Sequence, residues 1–240
     1  MISECISIVS GGMDSVILTH LLSRYLKATV TLLWYDYGQK SVVQEQEQVS
    51  ILANELSLEL LSVKVPLPFS STLTDLPLDV AQNYRPGPAI DIVPARNSIF
   101  LSYALGICHV RGIGAMSIGA HVGDQLMPTY PDARPAFMKA FQIASRIATP
   151  QGLVAPKIIY FGTDEADAML SKAMVINLAN KYKIDFSRTW SCYDGGEKPC
   201  GICENCVERA DALSVIDGGY HNTAWLESHN DSDATVKLIG

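Results

Sequence analysis

Apolar residues along most of this chain alternate between short continuous runs and longer stretches with helical spacing. The short runs are rich in β-branched and aromatic residues, which predicts strands. They lie at residues 5–9, 29–35, 58–65, 115–118 and 157–161. Apolar positions three and four apart predict helices at residues 16–26, 42–56, 97–109, 135–147 and about 167–181. Because the two kinds of element alternate, we expect an α/β fold in which a parallel, Rossmann-like sheet carries helices on both faces.

The remaining segments indicate how the chain is organised. Residues 66–94 hold six of the twelve prolines and little periodicity, which predicts a long loop. No apolar run approaches the ~20 residues that a membrane helix requires, and the first residues lack the basic region of a signal peptide. We therefore expect a cytoplasmic protein without a membrane partner. Residues 1–240 are expected to form one domain with a zinc-binding segment at 187–212.

Composition and charge narrow the class of function. Apolar residues make up 48% and charged residues 18% of the chain, so it is expected to fold around a core rather than remain disordered. There are 25 Asp and Glu against 18 Lys and Arg, a formal net charge of −7. A protein held mainly by nucleic-acid phosphates needs an excess of basic residues. We expect no nucleic-acid partner and favour a small-molecule or protein partner.

A glycine-rich loop lies between the first predicted strand and the first predicted helix. Backbone N–H groups and the helix dipole form an anion site at such a junction, and glycines let a phosphate approach closely. The loop lacks the Gly-Lys-Ser/Thr of a Walker A motif and the third glycine of a dinucleotide loop. The alternative is a tight turn with a capping Asp or Ser. The loop residues are Ser10, Gly11, Gly12, Met13, Asp14 and Ser15.

Four of the six cysteines are clustered in one short segment. Thiolates at this spacing can converge on one tetrahedral Zn²⁺, and a closed four-thiolate site is structural because no position remains for water. An iron-sulfur cluster is the alternative, but the ferredoxin pattern needs a further cysteine where Ala210 stands. Zinc is preferred, and Cys5 and Cys108 are expected in the core. The predicted ligands are Cys192, Cys200, Cys203 and Cys206.

The glycine loop resembles the pyrophosphate loop of ATP pyrophosphatases, and nearly the whole chain resembles the 7-cyano-7-deazaguanine synthase family. The resemblance also rests on the cysteine cluster and on five further motifs in order. These are Tyr35-Asp-Tyr-Gly-Gln-Lys40, Val93-Pro-Ala-Arg-Asn97, Tyr130-Pro-Asp-Ala-Arg-Pro135, Leu170-Ser-Lys-Ala173 and Thr189-Trp-Ser-Cys-Tyr193.

The resemblance implies a fold, a reaction and a set of ligands. The fold would be that of adenine nucleotide alpha hydrolases, with structural Zn²⁺, ATP with Mg²⁺, and often a homodimer. The enzyme would be an ATP-dependent carbon-nitrogen ligase: ATP would adenylate 7-carboxy-7-deazaguanine or a close analogue, and ammonia would convert it to the nitrile with release of AMP and pyrophosphate.

The same resemblance assigns roles to individual residues. Residues 10–15 would bind ATP, and Asp14, Arg96 and Lys172 would be catalytic. The residues expected on the substrate side are Asn97, Asp124, Tyr130, Asp132 and Arg134. Plainer interpretations stay open: Arg96 as an exposed ion-pair partner, Lys172 as a solvated lysine, and His121 as a hydrogen-bonded residue at a strand end. Tyr35 and Tyr37 could only pack the sheet.

The chain departs from the family pattern on the substrate side. Ala95 stands where the family usually has Gly, and Ala133 where it usually has Cys. The Pro-Leu before the lysine motif is replaced by a stretch with Asp164, Glu165 and Asp167, and residues 123–129 look altered. A second hypothesis follows: a diverged relative in bacterial antiviral defence that transfers the activated acid to another amine, such as an amine of a protein.

Overall fold

The computed structural model describes residues 2–67, 93, 95–121, 131–163 and 168–217. A sheet of five strands forms the centre of the fold, and its bounds are β1 Glu4–Ile8, β2 Thr29–Asp36, β3 Glu59–Lys64, β4 Ala115–Ile118 and β5 Lys157–Ile159. The strands are all parallel and lie in the order β3-β2-β1-β4-β5. The chain therefore runs outward from β1 in one direction and then in the other. Ligands bind at such a switch point, beyond the carboxyl ends of the strands.

Among the described residues, six α-helices accompany the sheet: α1 Met13–His20, α2 Val42–Leu56, α3 Arg96–Arg111, α4 Pro135–Ala148, α5 Lys172–Lys181 and α6 Glu204–Asp217. Successive strand residues point to opposite faces, so β1 sends Cys5 to one apolar cluster and Ile6 to the other. The first cluster also holds buried residues of α1, α2, α5 and α6. The second holds those of α3 and α4. The predicted α/β fold with helices on both faces is confirmed.

Two predicted helices differ from the structure, and one helix was not predicted. The helix expected from about residue 167 begins at Lys172, because a short antiparallel hairpin of β6 Gly162–Thr163 and β7 Ala168–Met169 precedes it. The first helix ends in a π-helical turn, Leu21–Tyr25. Helix α6 was not predicted, because half of its residues are polar and its apolar residues form no stripe along one face.

Two expectations about the rest of the chain have different outcomes. The predicted loop at residues 66–94 lies almost wholly outside the described residues; within it, Leu67 and Val93 are buried in the second apolar cluster. Among the described helices, none has both the length and the apolar character needed to cross a membrane.

Candidate functional site

The glycine loop joins the end of β1 to the start of α1, at the switch point of the sheet. Gly11 has a φ of +73°, and a Cβ there would lie 2.7 Å from the Cβ of Gln48, so both backbone and space require glycine. Gly12 is the N-cap of α1, and no side chain caps this helix. The alternative considered from the sequence, a tight turn capped by Asp or Ser, is therefore not found at this helix. The helix N-terminus keeps the donors that an anion would use.

Hydroxyl groups hold the loop from within. The Ser15 Oγ donates to the Gly12 carbonyl oxygen at 3.0 Å and accepts from the Ser10 backbone N–H at 3.3 Å. A Cβ at Gly119, just after β4, would lie 2.8 Å from the Ser15 nitrogen. The glycine therefore lets the end of β4 contact the start of α1. Residues after both central strands meet beside the loop as a result.

A buried ion cluster lies beside this loop. The Lys172 Nζ is 2.6 Å from the Asp14 Oδ2 and 3.3 Å from the His121 Nε2, and its side chain is 8% exposed. The His121 Nε2 is in turn 3.5 Å from the Asp14 Oδ2. Ser171 caps α5 and thereby places Lys172 at the first helical position. Glu208 of α6 completes the cluster, with its Oε2 3.5 Å from the Lys172 Nζ.

The members of the cluster keep one another charged. Burial opposes ionisation of Asp14, but Lys172 and His121 outweigh it and hold the pKa of this carboxyl well below its usual range. Burial likewise opposes protonation of Lys172 and His121, yet the neighbouring carboxylates, chiefly Asp14, raise the pKa of both groups. Within the described part of the chain, the Asp14 Oδ1 and the His121 Nδ1 are buried without a hydrogen-bond partner. A charged, incompletely satisfied cluster of this kind is typical of a functional site.

The four clustered cysteines converge in space. Their Sγ atoms all lie within 4.8 Å of one another, so the set could hold a metal ion. Backbone N–H groups already point at sulfur: those of Asp194 and Cys200 donate to the Cys192 Sγ at 3.3 Å. The N–H groups of Ile202 and Cys203 lower the pKa of the Cys200 thiol to about 7, which favours the thiolate that binds metals. Cys5 and Cys108 are buried in the core, as expected.

The cysteine segment is fastened to the glycine loop. The backbone N–H of Trp190 donates to the Gly11 carbonyl at 2.9 Å. The Gln44 Nε2 of α2 donates to the carbonyls of Gly195 and Gly196 at 2.8 and 3.0 Å. Arg209 of α6 donates to the Thr189 Oγ1 at 2.6 Å and thus anchors the same segment. The cysteine segment is therefore part of the wall around the loop.

The residues expected on the substrate side lie around the start of α3. Asp132 accepts the Asn97 backbone N–H at 3.0 Å, and the Asn97 Nδ2 donates to the Asp132 carbonyl at 3.2 Å. Asp132 thus caps α3 from another segment. Arg134 is exposed and precedes α4. Asp124 and Tyr130 lie outside the described residues.

Arg96 and the two tyrosines have identifiable partners in this region. The Arg96 Nη1 donates to the Tyr37 Oη at 3.2 Å, and its guanidinium lies 5.9 Å from the centre of that ring. Tyr35 stacks on Phe100 with ring centroids 4.1 Å apart and is buried, so its packing role is supported. Ala95, which replaces the usual Gly, has a φ of 55°, a left-handed conformation that favours glycine.

Sequence reasoning missed Glu208 and undervalued His121, whereas it named Lys172 as a catalytic candidate. Lys172 is buried rather than solvated, so the plainer interpretation of that lysine is wrong. His121 follows β4 and contacts two charged groups of the cluster. Glu208 lies only two residues after Cys206, and its sole signal in the sequence was that proximity. It reaches the loop because α6 folds back against α5, with Ala212 and Leu178 in one apolar cluster.

Comparisons with known proteins identify the family to which this chain belongs. The family model described as queuosine biosynthesis protein QueC matches residues 4–217. A 7-cyano-7-deazaguanine synthase of Acetivibrio thermocellus is 38% identical over 210 residues, which cover 86% of this chain and 90% of that protein. The synthase of Marinobacter nauticus is 32% identical over 222 residues, or 90% of this chain and 94% of that protein.

Among solved structures, the U34-tRNA thiolase NcsA from Methanococcus maripaludis, with its 4Fe-4S cluster, matches 99% of this chain and 70% of its own at 14% identity and a TM-score of 0.47. The sequence relatives are much closer, and the family model extends from the first strand to the end of α6. The chain belongs to the QueC family of queuosine biosynthesis proteins.

Proposed function

We propose that this protein uses ATP to activate 7-carboxy-7-deazaguanine and converts it with ammonia to 7-cyano-7-deazaguanine, releasing AMP and pyrophosphate. The relatives named 7-cyano-7-deazaguanine synthase supply the substrate class. The observation that carries the proposal is the buried Lys172 ammonium 2.6 Å from Asp14, beside an uncapped helix N-terminus. Such a site suits the phosphates of a nucleotide.

The chemistry requires activation because a carboxylate is a poor electrophile. An oxygen of the acid attacks the α-phosphorus of ATP and pyrophosphate leaves, which forms an acyl adenylate. Ammonia then displaces AMP to give the amide. A second adenylation, on the amide oxygen, lets AMP and protons leave as the nitrile forms. Each adenylation develops charge on the departing pyrophosphate, where preorganised donors lower the barrier most.

The loop and the ion cluster would supply those donors. Backbone N–H groups of residues 10–15 would bind the pyrophosphate portion, and the Lys172 ammonium would offset its negative charge. Asp14 would hold this ammonium in place from within the loop. Mg²⁺ bound with ATP would add a further counter-charge to the phosphates. The remaining donors at the start of α1 have no competing cap.

The start of α3 would bind the deazapurine acid. Arg96 carries the cation suited to a carboxylate or phosphate. Asn97 and Asp132 hold each other in the structure, so they would orient this region while offering their remaining polar atoms. Arg134, Asp124 and Tyr130 would complete the substrate side. These assignments remain proposals.

The cysteine cluster would hold a structural Zn²⁺. Four thiolates form a soft tetrahedral donor set, which fits Zn²⁺ and leaves no coordination position for substrate. When bound, zinc would supply stability rather than chemistry. The hydrogen bond from the Trp190 backbone N–H to the Gly11 carbonyl would then fix the glycine loop against the metal-stabilised segment. We also propose a homodimer in the cytoplasm, as the family resemblance implies.

The decisive experiment is mass spectrometry of a reaction containing the purified protein, the deazaguanine acid, ATP with Mg²⁺ and an ammonium salt. We expect the nitrile, with twice as much AMP as nitrile. The Asp14→Asn variant should form neither product while remaining folded by circular dichroism. Absence of AMP and pyrophosphate from the wild-type reaction would contradict the proposal.

A second candidate is supported by one residue. Ala133 ends the 3-10 turn Pro131–Ala133 and packs against the second apolar cluster, where the family pattern has a thiol. Without that thiol the activated acid would be transferred to another amine, such as an amine of a protein, in antiviral defence. AMP formation without nitrile, together with a mass increase on an added amine acceptor, would favour this candidate over the first.

A further inference from the structure

Glu208 brings a second carboxylate to the ammonium of Lys172. Its Oε2 lies 3.5 Å from the Lys172 Nζ and its Oε1 3.8 Å from the His121 Nε2. The Glu208 side chain is 27% exposed, so it borders the open part of the site rather than the core. None of the motifs that carry the family resemblance includes this residue.

Glu208 and Asp14 contact the same ammonium at different distances. Asp14 is within hydrogen-bond range of Lys172, at 2.6 Å, whereas the 3.5 Å contact of Glu208 is a looser ion pair. An arriving phosphate oxygen would therefore compete more easily with Glu208 than with Asp14. A carboxylate so close to the ammonium also repels any phosphate that binds there.

The position of α6 does not depend on this carboxylate. Arg209, the next residue, donates to Thr189 and Ser191 at 2.6 and 3.1 Å. Cys203 and Cys206 anchor the start of the helix in the cysteine cluster, and Ala212 is buried against α5. Glu208 is thus not needed to hold the helix and is free to act on its charged neighbours.

We propose that Glu208 sets the affinity of the glycine loop for polyphosphate: its negative charge beside the Lys172 ammonium keeps pyrophosphate from binding too tightly to leave. This inference rests on the proposed function, in which pyrophosphate is formed at that loop. An uncapped helix N-terminus, glycine N–H groups and a buried ammonium all attract the product. Glu208 is the carboxylate that offsets this attraction without occupying the loop.

The test is calorimetric titration of the full-length, metal-loaded protein with inorganic pyrophosphate. Glu208→Gln removes the charge but keeps the shape, and it should bind pyrophosphate about threefold or more tightly than wild type. Glu208→Asp keeps the charge and should stay within about twofold of wild type. Asp211→Asn, on the exposed side of the same helix, makes the same charge change away from the cluster and should also match wild type.

Equal or weaker pyrophosphate binding by Glu208→Gln would overturn the inference, since a purely structural role predicts that outcome. Metal content and thermal unfolding of each variant show that it is folded. Glu208→Met, also uncharged, must show the same tightening as Glu208→Gln. Failure of the proposed function would give a different result, because wild type would then form no AMP from ATP and the acid. That result does not depend on the pyrophosphate affinities of the variants. Normal nitrile formation with unchanged pyrophosphate affinity would reject only the role of Glu208.

Discussion

The glycine-loop cluster and the start of α3 both gather polar residues from distant segments, yet they do so in opposite ways. In the loop cluster, charges are buried and Asp14 keeps an oxygen without a hydrogen-bond partner among the described residues. At the start of α3, Asn97 and Asp132 satisfy each other with two hydrogen bonds. The first arrangement leaves a carboxylate oxygen for a ligand, whereas the second uses its two hydrogen bonds to hold the start of a helix.

This difference separates two kinds of candidate residue. A buried charge is costly, so a cluster of them persists where its chemistry is needed. A side chain that caps a helix contributes stability wherever it occurs. We therefore expect substitutions in the loop cluster to act first on activity and substitutions at α3 to act first on stability. The following predictions test that division.

Lys172→Met is expected to have the largest effect. It removes the ammonium from the proposed pyrophosphate site, so kcat should fall by about 10²-fold to 10³-fold. It also leaves the Asp14 carboxylate with less compensation, which should lower the free energy of unfolding by about 3 kcal/mol. Steady-state assays and urea unfolding measure the two effects. Lys157→Met, at an exposed position of β5, is the control and should change neither. Normal turnover by Lys172→Met would contradict the expectation that substitutions in the loop cluster reduce activity.

Cys203→Ser is expected to act on stability next most strongly. Loss of one thiolate opens the metal site, and a structural metal contributes folding free energy directly, so the variant should lose on the order of 3 kcal/mol or more together with its metal. Elemental analysis and thermal unfolding report both changes. Cys108→Ser disturbs the core instead and should keep its metal. A metal-free Cys203→Ser protein of unchanged stability would contradict this role.

Asp132→Ala should destabilise the protein by about 1 kcal/mol, because the N–H of Asn97 loses its acceptor. Asp132→Asn keeps an acceptor oxygen and should lose less. Chemical unfolding of the pair measures the difference. If Asp132→Ala abolished turnover at full stability, Asp132 would belong with the loop cluster and the division between the two regions would be wrong.

The smallest expected effect is a pH dependence carried by two histidines with opposite signs. The raised pKa of His121 stabilises the protein below about pH 6.5, and this contribution is lost as pH rises through the folded-state value. Burial lowers the pKa of His20, so this residue destabilises the protein as pH falls below about 6.5.

Unfolding of wild type, His121→Gln and His20→Gln at several pH values isolates each contribution as a difference from wild type. His121→Gln should reduce the decrease in the free energy of unfolding above about pH 6.5. His20→Gln should reduce the decrease that occurs below about pH 6.5. Two variants with the same pH profile as wild type would show that neither environment perturbs its histidine.

Much of the fold was readable from local pattern. The alternation of runs such as 29–35 and 42–56 predicted β2 and α2 almost to their ends, because a continuous apolar run reflects a strand buried on both faces and a 3.6-residue period reflects a helix buried on one face. The apolar pattern did not predict helix α6, because this helix is held by the cysteine cluster and by Arg209 rather than by an apolar stripe. The start of α5 was placed too early because β6 and β7, with two residues each, are too short to show a strand pattern.

The candidate site divides in the same way. The sequence by itself determined the glycine loop, the four converging cysteines and the family, since these depend on residue types at short, fixed spacing. Only the tertiary structure decided that Lys172 is buried on Asp14, that His121 joins them, and that Glu208 reaches them from the far end of the chain. The parallel strands β1 and β4 are neighbours, so Asp14 and His121, which follow them, lie at the same edge of the sheet. Lys172 and Glu208 lie on α5 and α6, and the packing of these two helices brings them to that edge. Groups more than 150 residues apart along the chain become charged neighbours there, and no local pattern records that distance.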